Sequence, residues 1–159
     1  MSNTLLDACV EIFRESFEGV KPGNQYTWYV EGKEAIFDAL SSISAEQASR
    51  QIPGARATIG AHANHLCYYL HLFNVGAHGG SETADWEGSW TKQTFNEAEW
   101  QDVAERTHRE FDEVYGWHKA QVAEGREFAT EDEAIHVISN IAHAAYHLGA
   151  MRALIPQVQ

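Results

Sequence analysis

The sequence predicts an all-α domain, on three observations. Apolar residues recur at helical rather than alternating spacing along nearly the whole chain. Proline is confined to Pro22, Pro53 and Pro156, all outside those periodic runs. Polar capping residues stand where the longer runs begin. With 159 residues and 44% hydrophobic content, the chain is expected to form one domain over 1–159 that buries about 70% of its unfolded surface.

The first helix is expected from about Thr4 to Phe17, with Leu5, Cys9, Ile12, Phe13 and Ser16 on its inward stripe and Gly19 as C-cap. A loop through Pro22 and Gly23 follows, and the aromatic, β-branched segment Gln25 to Val30 reads as extended. A short helix is expected over Lys33 to Ser41, and a turn from Ser44 to Gln47. The second long helix should run from Thr58 to Phe73, stopped by Gly76, Gly79 and Gly80. The linker from Asn74 to Thr94 is about 20 residues, longer than ordinary helix connections, so it is functional or partly ordered. Trp86 and Trp90 argue for order, because their large apolar area has to be covered.

The third long helix begins at Asn96, an N-cap with Glu97 and Glu99 near the positive end of the dipole. It presents Trp100, Val103, Ala104, Phe111, Val114, Tyr115 and Val122 to the core, and Gly116 weakens its middle. The fourth starts at Thr130, where Glu133 three residues on completes a capping box, and Pro156 bounds its end. Four long helices and one short one make a four-helix bundle with long crossover connections.

Charge and composition exclude several functions. Eleven Lys and Arg against 23 Asp and Glu leave a net charge of −12, which repels phosphate backbones and anionic lipid, so neither nucleic acid nor a membrane is expected as partner. Cys9 and Cys67 have no CxxC spacing, which points away from a disulfide framework or thiolate zinc site and toward a reducing cytoplasm. Asp7, Glu11, Arg14 and Glu15 interrupt what would be the apolar stretch of a signal peptide. Ala134 to Ile155 is long enough to span a bilayer, but His136, Ser139, Asn140, His143 and His147 would be costly in lipid, so it reads as a buried helix.

The chain carries nine histidines. That number alone decides nothing, since His71, His78, His108 and His118 can be solvated surface groups. His143 and His147 lie about 40° apart and one turn apart on the fourth helix, close enough for both rings to reach one cation. The pair is equally compatible with core histidines hydrogen-bonded to neighbouring helices. His136 shares their face about 10 Å away, too far for the same coordination sphere. His62 and His65, on the second long helix, offer a further imidazole from either position. Three neutral nitrogens suit zinc, nickel, iron or copper and leave a position for water or substrate, unlike a closed structural zinc site.

The stretch from Thr58 to Leu66, with His62 and His65, and the stretch from His143 to Arg152, with His147-Leu148-Gly149, resemble the two motif helices of the DinB/YfiT-like superfamily of metal-binding four-helix proteins. Gly149-Ala150 departs from that family's common Gly-Gln. The resemblance implies a metal site of His65, His143 and His147, with His62 in reserve, holding one divalent transition metal ion, zinc or nickel. It further implies a homodimer, a small-molecule substrate, and activities such as S-transfer from low-molecular-weight thiols. The leading expectation is therefore a thiol S-transferase in which the ion lowers the pKa of a small thiol cosubstrate. Its pocket should include Tyr69, His136 and Tyr146, with Trp86 or Trp90 as a cover. The alternatives are hydrolysis through activated water, with Asp85 or Glu87 as base, and a metal-binding or structural helical dimer without turnover.

Overall fold

The computed structural model describes residues 4–31, 34–126, 128 and 130–159. Those residues are all-α: six helices, two short 3-10 turns and no strand. Helix α1 spans Thr4–Glu18, α2 Ile36–Ser41, α3 Ala45–Ala48, α4 Ile59–Ala77, α5 Glu97–Ala123 and α6 Glu131–Leu154. Among them no helix is long and apolar enough to cross a membrane.

In α1 the buried stripe is Leu6, Cys9, Val10, Phe13 and Phe17, and Leu5 is 60% exposed. The chain holds two overlapping apolar stripes here, and the one bearing Phe13 and Phe17 carries the greater area into the core. Arg14 is buried with Glu11 beside it and donates to the carbonyl of Gly19 at 3.0 Å, closing the helix C-terminus where φ turns positive. Residues 25–30 form no strand. The buried carboxylate of Glu15 accepts from the backbone N–H groups of Trp28, Tyr29 and Val30 at 2.7–3.0 Å, so one side chain takes the place of a partner strand.

Helix α2 starts at Ile36 after Ala35, and the expected start at Lys33 lies outside the described residues. The expected turn at Ser44 to Gln47 is a one-turn helix, α3, opened by a reciprocal pair. Gln47 N–H donates to Ser44 Oγ, and Ser44 N–H donates to Gln47 Oε1. Helix α4 begins as expected, with Thr58 Oγ1 accepting from the Ala61 N–H. It continues a turn past Phe73, through Gly76, to Ala77, with His78 as C-cap and Gly79 following at a φ of 77°. Gly60 is required near its start, because a Cβ there would lie 2.5 Å from the Phe95 ring.

Helix α5 has the reciprocal Asn96–Glu99 cap, and Thr130 Oγ1 accepts from the Glu133 N–H at the start of α6. Helix α4 packs on α5 and α6, and α1 packs on α6 and α5. The main core gathers Phe13, Phe17, Leu66, Leu70, Phe111, Val114 and Met151, while Leu6, Cys9, Val10 and Val137 form a second cluster.

Two expectations need correction here. Helix α6 is not buried all round: Ile135, Ile138 and Tyr146 are exposed, because among the described residues no helix packs over its outer face. His118 is not a surface group. It is 1% exposed on the inner face of α5, between Phe13, Phe73 and Trp117, and Asn140 Nδ2 donates to its Nε2 at 3.2 Å.

Candidate metal centre

Helices α4 and α6 bring His65, His143 and His147 together, one nitrogen from each lying within 4.8 Å of the others. The ring centroids are 5.2 Å apart for His65–His143 and His65–His147, and 4.6 Å for His143–His147. A tetrahedral ion with bonds of about 2.0–2.1 Å draws its nitrogens to about 3.3–3.4 Å apart, a closure that modest side-chain rotations supply.

The hydrogen bonds behind the rings decide which nitrogens face inward. The Ser89 hydroxyl donates to the Trp86 carbonyl at 2.7 Å, so toward His65 Nδ1, also at 2.7 Å, its oxygen can only accept. His65 therefore carries its proton on Nδ1 and keeps a lone pair on Nε2. His147 Nδ1 lies 3.1 Å from His62 Nδ1. The Nε2 atoms of His143 and His147 are buried without a hydrogen-bond partner. A proton on His147 Nδ1, donated to His62, leaves the His147 Nε2 lone pair directed into the cluster.

His62 thus touches the cluster from behind, and it is absent from the converging trio. Ring packing fixes the planes. Trp90 stacks on His65 with centroids 4.1 Å apart and 19° between planes, and Tyr69 stacks on His143 at 3.8 Å and 10°. Asn64 Nδ2 donates to the Ser89 carbonyl at 3.0 Å and the Tyr68 hydroxyl accepts from the Asp85 N–H at 2.8 Å, so α4 holds the loop at two points, while the Asp85 carboxylate accepts from the Gly88 N–H at 2.8 Å within the loop itself.

Burial holds these imidazoles neutral. It is the leading cause that lowers His65 and His143 to about 4 and His147 to about 2, and the neighbouring rings add to the effect. His62 is lowered by burial alone. Neutral imidazole is the ligating form, so the cluster is ready for a cation at neutral pH without a proton having to leave. Unpartnered, buried, convergent nitrogens of this kind fit a transition metal, and no carboxylate belongs to the trio.

The other expected site residues divide. Tyr69, Trp86 and His136 line one cavity, with Tyr69 and Trp86 at the end near the histidines and His136 exposed at the far end. Tyr146 is 61% exposed, its ring edge-on to His147 from the outer side rather than in the cavity wall. Trp90 packs on the imidazoles and is absent from that wall. Asp85 and Glu87 stay on the loop surface, and Cys67 is buried, its thiol pushed up by burial. Ser89 and Asn64 were not legible as site residues, since a lone serine between tryptophans carries no spacing signal. No family model matches the chain, and no curated protein or solved structure matches it at a significant level.

Proposed function

We propose that the four long helices α1, α4, α5 and α6 form a DinB/YfiT-like bundle. Within it, His65, His143 and His147 hold a divalent transition metal, zinc or nickel, for transfer of a small thiol to an electrophile. The observation that carries this reading is the convergence of unpartnered imidazole nitrogens whose other ring nitrogens, in His65 and His147, are engaged by Ser89 and His62. A cation held there supplies Lewis acidity that lowers the pKa of a thiol sulfur by several units.

The chain's own residues do the rest. Ser89 and His62 hold the ring orientations, and Trp90 and Tyr69 shield the faces of the imidazoles from water. Thiol transfer fits better than hydrolysis, because activated water calls for a base, whereas the trio includes no carboxylate and Asp85 and Glu87 lie exposed on the loop. The exposed Ile135, Ile138 and Tyr146 on the outer face of α6 support the homodimer that the resemblance implies.

The test begins with elemental analysis of the purified protein and calorimetric titration of the metal-free chain with zinc and nickel. One ion per chain, absent in His147→Ala, is expected. Small thiols are then paired with 1-chloro-2,4-dinitrobenzene, in which a C–S bond forms, the C–Cl bond breaks, and chloride and the thiol proton leave. Metal-dependent loss of thiol supports the transferase reading. Ester hydrolysis without thiol would replace it by the hydrolytic one, and metal binding without either turnover would leave a non-catalytic protein.

A further inference from the structure

A cavity of about 500 Å3 lies beside the histidine cluster, bounded by α4, α5, α6 and the start of α1. Along α4 it runs from Tyr69 to Ala77, eight residues or about 12 Å of helical rise. Its walls are apolar and aromatic, with Phe73, Trp117, Phe128 and Val137 facing it between Tyr69 and Trp86 at the near end and a polar group at the far end. The near wall is one ring thick. Tyr69 lines the cavity and stacks on His143, and Trp86 lines it with its ring 6.1 Å from His65.

Among the described residues, the polar end pairs one cation with one anion. Arg126 reaches Glu133 at 3.3 Å and also donates to Gln121, and His136 stands one turn beyond Glu133 on α6. A guanidinium already opposed by a carboxylate gives little reason to select an anion, and the chain's net charge of −12 repels one. A charged ligand would also lose its hydration against aromatic walls. An uncharged molecule has no ionic hydration to lose on entering, and one hydroxyl, carbonyl or amine can be bonded by Gln121 or His136.

We infer that this cavity is a binding chamber for an uncharged, ring-bearing organic molecule up to about 12 Å long with one hydrogen-bonding group. Its near end lies one ring from the histidines, behind Tyr69 and Trp86, so it serves as the acceptor compartment for the cluster when one of those side chains turns aside. That acceptor role rests on the proposed metal-dependent transfer, whereas the binding itself does not.

Gly76 provides the means of testing it. The residue lines the cavity in ordinary helical conformation, and a Cβ there meets nothing within 4 Å, so a large side chain fills the chamber without displacing backbone. The probe is N-phenyl-1-naphthylamine, uncharged and two ring systems long, titrated by fluorescence into metal-free and zinc-loaded protein. Saturable binding at one site per chain is expected in both forms, with quenching of tryptophan emission. Gly76→Phe should weaken it at least ten-fold while leaving the helical circular dichroism unchanged, and the milder Gly76→Leu should act in the same direction. The anionic 8-sulfonate of the same probe should bind more weakly than the neutral one.

Absence of saturable binding, or equal binding by a folded Gly76→Phe, overturns the proposal. His147→Ala separates the two readings. Retained probe binding without zinc binding supports an independent chamber, and loss of both in a folded variant overturns it. If the parent chain binds the probe but no metal, the chamber stands and its acceptor role falls with the metal reading.

Discussion

The cluster of His65, His143 and His147 and the lone His118 are both buried in the helical core, and both contain imidazole nitrogens without a partner. Burial lowers His118 to about 4, as it does His65 and His143. The two regions part on direction. In the cluster, nitrogens from two helices point at one another's neighbourhood, with Ser89 and His62 behind two of the rings. At His118 the bonded nitrogen faces Asn140 and the other is enclosed by a hydrocarbon and aromatic core, as is Asn140 Oδ1. A buried orphan nitrogen is therefore a cost of about 1–3 kcal/mol in either place, and only convergence offers a ligand that relieves it.

The comparison breaks most readily at His147. Replacing it with alanine should lower zinc affinity by more than the ~10–100-fold typical of losing an outer partner, whereas His118→Leu should leave the isotherm unchanged. Equal losses in the two variants would show that the metal effect comes from general loosening of the core. Zinc at a thousand times its Kd should also stabilise the parent chain by about 4 kcal/mol in urea melts, and should do nothing for His147→Ala.

Acid sharpens the contrast next. A histidine held below its unfolded pKa of about 6.5 contributes stability that is complete above that value. It is lost as pH falls toward about 4, the value for His118, His65 and His143. The unfolding free energy of the metal-free protein, read from urea melts, should therefore decline from pH 7 to pH 4, by on the order of 3 kcal/mol or more. With zinc present the decline should start later and end more steeply, as protons displace the ion. A flat profile in the metal-free chain would rule out the buried neutral state.

The contribution of His62 is intermediate. His62→Leu should reduce zinc affinity about 10–100-fold with the bundle intact, since His147 keeps its lone pair but loses the bond that aims it. Unchanged affinity would make His62 a bystander, and complete loss of stoichiometric binding would make it a ligand. The smallest effect belongs to the solitary pair. His118→Leu alone should cost about 1–3 kcal/mol by orphaning Asn140, and the double change with Asn140→Leu should recover most of it, because both polar groups then leave together. Denaturant melts of the single and double variants read the difference directly.

Helix caps and periodicity made the helical class legible: Thr58, Asn96 and Thr130 each stand where a long helix begins. The spacing of His143 and His147 was legible for the same reason, since one turn of an α-helix is local geometry. The partners were not. That Ser89 backs His65, that His62 backs His147, and that Asn140 seats His118 all depend on contacts between residues 22 to 85 positions apart. In α1 two apolar stripes competed, and only docking against α5 and α6 selected Leu6 over Leu5. In α6 an apolar outer face resembled burial, because hydropathy alone does not record whether a neighbour is there to cover it.

The Ser89 hydroxyl occupies a junction between the catalytic-looking rings and the long crossover that precedes α5. Its oxygen receives from an imidazole and gives to a peptide carbonyl of the same connection, so a change in the electron demand on His65 is felt along the crossover. Loading the centre would then register as slower deuterium uptake across residues 85–90, which touch His65 through Ser89 and Trp90 without themselves belonging to the trio. Under the proposed metal reading, the crossover would thereby report occupancy of the centre.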